Sequence, residues 1–396
     1  MRILYHHRTA SRDGQAVHID EMIAALRAAG HEVLVVAPEP APAAGAMGGT
    51  AGWVQRMRAR LPRALYELLE LGYSLVAYRR LAAAARRFQP DVLYERYNLF
   101  LLAGVMLRRR LGLPMLLEVN APLAQERASF GGLGLPWLAR WAEDRVWRAA
   151  DMVLPVTQVL AQAVAARGVP PARIRVIPNG INTAHFAAAP APAQARAALG
   201  LQGALVLGFT GFVRDWHGVD RVLRWLAGPQ APAHAVLLVV GDGPARADLQ
   251  ALAQQLGIAP RVVFTGVVPR PEVPGLVAAF DIALQPASVP YASPLKLFEY
   301  LALGKAVVAP RQPNLEEVLT DGDNALLFDP AQPGALEAAL QRLCHDQSLR
   351  QRVAAGSAAT IGRLGLTWQG NARRVADLAA SLAAAAPPAA AHRRGA

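Results

Sequence analysis

Residues 205–240 read LVLGFTGFVRDWHGVDRVLRWLAGPQAPAHAVLLVV. Leu205 to Thr210 is an apolar run of strand length, and residues 211–218 are a polar, glycine-bearing loop. Val219, Val222, Leu223 and Leu226 then recur at i, i+3, i+4 and i+7, the spacing of one helix face. Ala235 to Val240 is the next strand. The start of the chain follows the same plan. Residues 2–4 read as a buried strand, followed by a polar loop through Gly14. Ile19, Met22, Ile23 and Leu26 repeat the helical spacing, Gly30 stops the helix, and Glu32 to Val36 is a strand. Further strands are expected at Val262–Thr265, Ile282–Gln285, Ala306–Ala309 and Ala325–Phe328, alternating with helical segments. Strands alternating with helices give an α/β fold with parallel sheets covered on both faces.

The expected architecture is therefore two Rossmann-like parallel-sheet domains facing a central cleft. Their ligands belong outside the carboxyl ends of the strands. The boundary is expected in the Ala/Pro-rich segment Ala187 to Ala193, leaving domains over 1–186 and 195–365. A helix over 366–385 is expected to pack back towards the N-terminal domain. Residues 386–396 read as a disordered tail, and Ala43 to Gly52 as a mobile loop.

At 396 residues, 53% hydrophobic and 18% charged, the chain suits two domains with full cores and excludes global disorder. The one cysteine, Cys344, has no internal partner, which suits a reducing cytoplasm. The sequence enters a strand directly at Met1-Arg2-Ile3-Leu4, with no signal-peptide pattern. No run reaches the roughly 18 apolar residues of a membrane span; the longest, Leu99 to Leu107, ends at Arg108-Arg109-Arg110. A soluble, cytoplasmic protein is expected. The net charge is +12, and the basic residues are arginines apart from Lys296 and Lys305. Codon bias explains arginine over lysine but not the imbalance itself. The excess favours an anionic partner: donor phosphates, a membrane surface or an acidic acceptor.

The strongest chemical signal runs from Ser293-Pro294-Leu295-Lys296 through Glu299 to Gly304. Ser is a preferred N-cap and Pro a preferred first helical residue. The free N–H groups of that helix start, with Lys296 in the first turn, make an anion site. Glu299, three residues on, is placed to accept hydrogen bonds from two vicinal ribose hydroxyls. The same residues also fit a plain amphipathic helix with a surface Lys–Glu pair.

The segment is similar to the donor-site motif of the retaining glycosyltransferases of family 4, which share the two-Rossmann GT-B architecture. Other pieces follow that family's order: Asp13-Gly14-Gln15, Gly30-His31-Glu32-Val33, Pro178-Asn179-Gly180-Ile181-Asn182, Gly211 through Trp216-His217-Gly218, Val240-Gly241-Asp242-Gly243-Pro244 and Phe264-Thr265-Gly266. Each alone is weak; their order and spacing together carry the resemblance. It implies an acceptor domain first and a nucleotide-sugar donor domain second.

By that resemblance Glu299 binds the donor ribose, and Ser293, Pro294, Leu295 and Lys296 form the loop whose amides meet the diphosphate. Gly14, Gly211, Gly243 and Val267 line the donor. Arg214 and His217 fall where the family places an arginine and a lysine on the diphosphate. His217 replaces the lysine, so its charge depends on protonation, and Arg214 is displaced by a few residues. A local Arg214–Asp215 ion pair is the structural alternative. The family motif has two glutamates with seven residues between them; Tyr291 stands at the first position. Asn120, after strand-like Leu116 to Val119, sits where many members carry a histidine near the reacting sugar. Glu95, Arg96 and Tyr97 end a strand and are expected to face the acceptor. His18 reads as a satisfied structural histidine.

No dinucleotide fingerprint or Walker A sequence occurs, because Arg246 stands where a third glycine would be and Gly304-Lys305 lacks its flanking residues. These gaps weigh against a nicotinamide-dependent oxidoreductase. The charge alone, without a recognisable motif, does not make a nucleic-acid-binding protein. Asp321-Gly322-Asp323 reads as a turn, so neither metal nor other cofactor is expected. The resemblance implies transfer with retention from a nucleoside-diphosphate sugar to a glycan, lipid-linked or small-molecule acceptor, in bacterial surface polysaccharide or glycoconjugate synthesis. Residues 53–87 hold eight arginines, two glutamates and Trp53, Leu61, Leu65, Tyr66, Leu68, Leu69 and Leu71. That stretch reads either as a helix packed on its own domain or as a peripheral contact with an anionic membrane at the inner face of the cell.

Overall fold

The computed structural model describes residues 1–9, 14–38 and 61–385. The expected loop at 43–52, Trp53 and the expected tail at 386–396 lie outside the described residues. The chain forms two compact units, Met1–Pro178 with 368–396, and Asn179–Thr367.

The first unit holds five parallel strands, β1 (Arg2–His6), β2 (Glu32–Val36), β3 (Val92–Arg96), β4 (Met115–Val119) and β5 (Met152–Pro155), in the order β2-β1-β3-β4-β5. The second holds β6 (Leu205–Thr210), β7 (Ala235–Val240), β8 (Val262–Phe264), β9 (Ile282–Leu284), β10 (Ala306–Pro310) and β11 (Ala325–Phe328). Their order is β11-β10-β9-β6-β7-β8, again all parallel. Numbered from its own first strand, this is the dinucleotide-fold order 3-2-1-4-5-6. Strand positions match the sequence reading to within two residues at either end.

Alternation sets both faces of the second sheet. Leu205, Leu207 and Phe209 enter one cluster with Val222, Leu223 and Leu226 of the Val219–Leu226 helix. Val206, Leu238 and Val240 enter the other with Leu297, Phe298 and Leu301. Strands buried on both faces need continuous apolar runs, which is why LVLGFT lacks a polar residue before its end. Gly208 has no side chain because the Phe280 ring occupies that space.

The compact units part earlier than the boundary expected at Ala187–Ala193. Phe186 and Ala195 lie in the core of the second unit, so the Ala/Pro segment belongs to it. Ile181 bridges Thr367 within that unit, and the chain passes between units at 178/179 and 367/368. The Trp368–Ala385 helix packs on the Gly14–Ala28 helix, with Trp368 edge-on to His18 at 4.9 Å and Asn371 donating to the Pro178 carbonyl at 2.6 Å. Among the described residues no helix is long and apolar enough to cross a membrane.

Candidate active site

In an open parallel sheet, the crevice forms where neighbouring strands send their connections to opposite sides. In the second unit that place is β6 beside β9. Gly211 follows β6 with φ of 127°, and Gly241 follows β7 with the same value; only glycine adopts this readily. The two turns interlock. A side chain on Gly241 would overlap the Gly211 carbonyl, and one on Gly243 would overlap the Val213 backbone. Gly243 is thus accounted for by packing between loops. Val267, just beyond Gly266, is 55% exposed.

Tyr300 ties the switch point together. Its hydroxyl accepts from the Thr210 N–H at 2.9 Å and reaches the Leu284 carbonyl at 3.4 Å, bridging the ends of β6 and β9. Asn179 does the same for the segment before the next helix. Its Nδ2 donates to the Ser293 carbonyl at 2.5 Å, and its N–H reaches Ser293 Oγ at 3.4 Å. Sequence reasoning gave neither residue a role. Tyr300 looked like an ordinary apolar-face aromatic, although a buried tyrosine always poses the question of its hydroxyl partner.

The helix runs Leu295–Ala302 with Pro294 at the N-cap and no side-chain cap. Ser293 was expected at the cap; its hydroxyl is turned to Asn179 instead, so the Leu295 and Lys296 N–H groups have no side-chain cap, while the Leu297 N–H bonds to the Pro294 carbonyl at 3.1 Å. Lys296 is not part of a surface ion pair either. Its Nζ is buried, makes no hydrogen bond, and lies 3.8 Å from the Phe209 ring centroid. A Gly211 side chain would come within 3.5 Å of that nitrogen. Burial without a partner lowers the amine to about pH 7, opposed by Glu299. Burial likewise raises the Glu299 carboxyl to about 7, against the pull of Arg270 and Lys296.

His217 is buried, and its Nδ1 accepts the Arg214 N–H at 3.1 Å. Burial first, then the Lys296 and Arg214 charges, push its proton affinity far down. The charge that depended on protonation is thus disfavoured: with Nδ1 accepting the Arg214 N–H, the neutral ring carries its hydrogen on Nε2 and can act as a donor. The Arg214 side chain is exposed and lies over the Phe212 ring at 5.0 Å. Among the described residues it forms no ion pair with Asp215. Gly211, Arg214, His217, Lys296 and Glu299 thus converge on one end of the second sheet.

Asn120 and Gly14 belong to the first unit. Gly14 opens the Gly14–Ala28 helix and is exposed; residues 10–13, including Asp13, lie outside the described residues. Asn120 donates from Nδ2 to Glu118 at 2.5 Å. Glu118 is buried and collects further bonds from Tyr94 at 2.7 Å, from Arg96, and from His18 at 3.0 Å. These cations and donors outweigh burial and hold its carboxyl well below the usual range. His18 lies buried against Glu118. Glu95, Arg96 and Tyr97 do not face outward. Glu95 pairs with His6 at 2.5 Å, Arg96 with Glu118, and Tyr97 with Glu143 at 3.1 Å, all buried. Strand β3 is central, so its last residues are covered rather than exposed.

Asp321-Gly322-Asp323 forms a turn, with Gly322 at φ 75°. Asp321 takes Arg311 at 2.6 Å and the Leu327 N–H at 2.9 Å; Asp323 takes Arg363 at 3.0 Å. Among the described residues no cluster of three His, Cys, Asp or Glu has metal-binding proximity.

Residues 12–185 match the family described as Glycosyltransferase Family 4, and residues 194–359 that described as Glycosyl transferases group 1. A D-inositol 3-phosphate glycosyltransferase from a Nocardioides species is 30% identical over 334 residues, 78% of this chain and 72% of that protein. A GDP-mannose-dependent alpha-mannosyltransferase from Mycobacterium tuberculosis is 27% identical, covering 90% and 89% of the two chains. The match to the 2-deoxystreptamine glucosyltransferase of Streptomyces kanamyceticus, 29% identical, spans 62% of this chain and 65% of that protein. Among solved structures, HepE from Anabaena in complex with UDP-glucose superposes with a TM-score of 0.75 at 19% identity, covering 96% of this chain and all of that one. At that identity the likeness establishes the fold.

Proposed function

Because this chain belongs to the family 4 glycosyltransferases, we propose that it moves a sugar, with retention, from a nucleoside-diphosphate donor bound where β6 meets β9. The acceptor is a glycan, a lipid-linked or a small-molecule acceptor, and the setting is bacterial surface polysaccharide or glycoconjugate synthesis at the inner face of the membrane. One observation carries the donor site: a buried Lys296 amine that lies against the Phe209 ring and has no hydrogen-bond partner among the described residues, beside the helix start and one turn before Glu299. A buried cation left unpaired is costly unless a ligand supplies the anion.

In the proposed reaction the bond from the anomeric carbon to the diphosphate oxygen breaks, and a bond to the acceptor oxygen forms on the same face. The leaving phosphate oxygen takes the acceptor proton. Negative charge grows on the diphosphate as the bond breaks, and Lys296, Arg214, the first-turn N–H groups and His217 Nε2–H are placed to stabilise it. Glu299 holds the ribose. No resident metal enters this reading, because the turn carboxylates are already engaged by Arg311 and Arg363.

The test is transfer from a panel of nucleoside-diphosphate sugars in excess chelator. Turnover should persist there and in a D321A/D323A double variant, while Arg214→Ala and Lys296→Ala should lower turnover more than they weaken donor binding. Transfer that returns only with magnesium or manganese overturns the metal-free step. Normal turnover in both cation variants overturns the leaving-group assignment.

A further inference from the structure

The backbone between β9 and the Leu295–Ala302 helix is held by its carbonyl groups. Gln285 Nε2 donates to the Ala287 carbonyl at 2.5 Å, and Gln312 Nε2 to that of Ser288 at 3.2 Å. Asn314 Nδ2 holds two, those of Val289 at 3.2 Å and Ala292 at 2.7 Å, and Asn179 holds that of Ser293. The two carbonyls on Asn314 bracket a tight turn with Pro290 and Tyr291 at its tip, closed by the Ala292 N–H on the Val289 carbonyl at 3.2 Å. Gln285, Asn314 and Asn179 are buried, whereas the turn is not.

This clamp has a cost. The side-chain amide oxygens of Gln285, Gln312 and Asn314 are buried and make no hydrogen bond. Turning any of these amides over would set its oxygen against a carbonyl oxygen, so the loop dictates their orientation. Unpaired buried acceptors are rare and call for a reason. In a planar trans peptide the N–H points opposite to the carbonyl. Fixing the Ala287, Ser288 and Ala292 carbonyls therefore turns the N–H groups of Ser288, Val289 and Ser293 away from the clamp. None of the three donates a hydrogen bond among the described residues. The other two clamped carbonyls precede Pro290 and Pro294, which carry no N–H. From this geometry we infer that Asn314 is a positioning residue for the donor diphosphate. It holds the backbone ahead of Lys296 so that its N–H groups are offered to an anion rather than to the protein, and such successive N–H groups make an anion-binding concavity. Asn314 itself touches no ligand. The inference rests on the donor site proposed above.

The test titrates UDP, GDP and ADP calorimetrically into the full-length protein. Asn314→Ala and the isosteric Asn314→Asp each remove the donor of two hydrogen bonds. Either should weaken the diphosphate that wild type binds best by about tenfold or more. Gln312→Ala removes one bond at a partly exposed residue and should fold; it should weaken binding about threefold, and it decides the matter if the Asn314 variants fail to fold. Asn324→Ala controls for stability alone, because that buried amide donates to the Val318 carbonyl and Thr360 Oγ1 in the same unit and not to the loop. It should lower the urea midpoint and leave affinity unchanged. Asn314 and Gln312 variants that bind as wild type does overturn the inference, as does an Asn324 variant that weakens binding equally. A wild type that binds none of the three diphosphates, or a Lys296→Ala variant that binds them normally, instead brings down the donor site and this inference with it.

Discussion

Lys296 and Glu299 share one helix face and one problem, a charge held out of water. Their proton equilibria should therefore shape ligand affinity. An anionic diphosphate favours the ammonium, so affinity falls as pH rises above about 7 and Lys296 deprotonates. Ribose hydroxyls favour the carboxylate, so affinity also falls as pH drops below about 7 and Glu299 takes up a proton. Calorimetric titration with a nucleoside diphosphate should give a maximum near neutrality. Lys296→Met should flatten the alkaline limb and Glu299→Gln the acid limb; a monotonic wild-type profile would contradict the paired assignment. The same lysine makes a stability prediction of opposite sense to its function. Below about pH 7 both folded and unfolded states carry the ammonium, and the folded state bears its full burial cost. Between there and the unfolded lysine value of about 10.4, the unfolded state binds more protons, so the cost fades as pH rises. Lys296→Met should therefore melt higher than wild type, by about 2–4 °C per kcal/mol relieved, with the gap widest in mild acid and narrowing in alkali. The sequence made the positions of these two residues legible, because helix-start chemistry is local. It did not reveal that His217 is neutral, since that follows from burial and a bond to Nδ1 that only the folded loop provides.

At the scale of elements, the donor site depends on two strand ends and a helix start being held at fixed spacing. Tyr300 fixes the first pair, and Asn179 fixes the segment before the helix. Tyr300→Phe keeps the packing and removes one hydroxyl, leaving the buried Thr210 N–H without its acceptor. The expected cost is about 1–3 kcal/mol, read as a lower urea midpoint with an unchanged slope. Turnover should fall alongside it, since the loops after β6 and β9 lose their shared tether. An unchanged midpoint would show that the hydroxyl is incidental. Strands and helices of this unit were readable because each is buried on a regular period: Val219, Val222, Leu223 and Leu226 point inward as their spacing requires. The helix start was misread by one position. Ser293 satisfies every local preference for a cap, but a residue 114 positions away claims its hydroxyl and carbonyl. Glu95, Arg96 and Tyr97 failed for a related reason. Strand ends face ligands in general, but the end of a central strand is covered when its neighbours supply partners for its charges.

For the whole molecule, the unresolved physical question is where a net charge of +12 is used. The Arg63–Phe88 helix buries Tyr66, Glu67, Ser74, Ala77, Leu81 and Ala85. Tyr66, one of the apolar residues of that stretch, faces the core. Leu65, Leu68, Leu69, Leu75 and Val76 form a second apolar stripe that is exposed, with Arg79, Arg86 and Arg87 exposed towards the helix end. An apolar stripe beside arginines matches the boundary between headgroups and acyl chains of an anionic bilayer. The full-length protein should co-sediment with vesicles containing phosphatidylglycerol and leave purely zwitterionic vesicles largely unbound. Binding should weaken as salt shortens the screening length from about 10 Å at 0.1 M to about 3 Å at 1 M. Leu68→Ser with Leu75→Ser should reduce binding at every salt concentration, because it removes burial of apolar area. R86Q/R87Q should instead reduce the salt-dependent part, with little effect on binding that survives high salt. Both pairs are exposed, so neither should shift the melting temperature appreciably. Equal binding to neutral and anionic vesicles, or stripe variants that bind as wild type does, would remove the membrane from the account. The charge excess would then have to be used by the donor diphosphate and the acceptor alone.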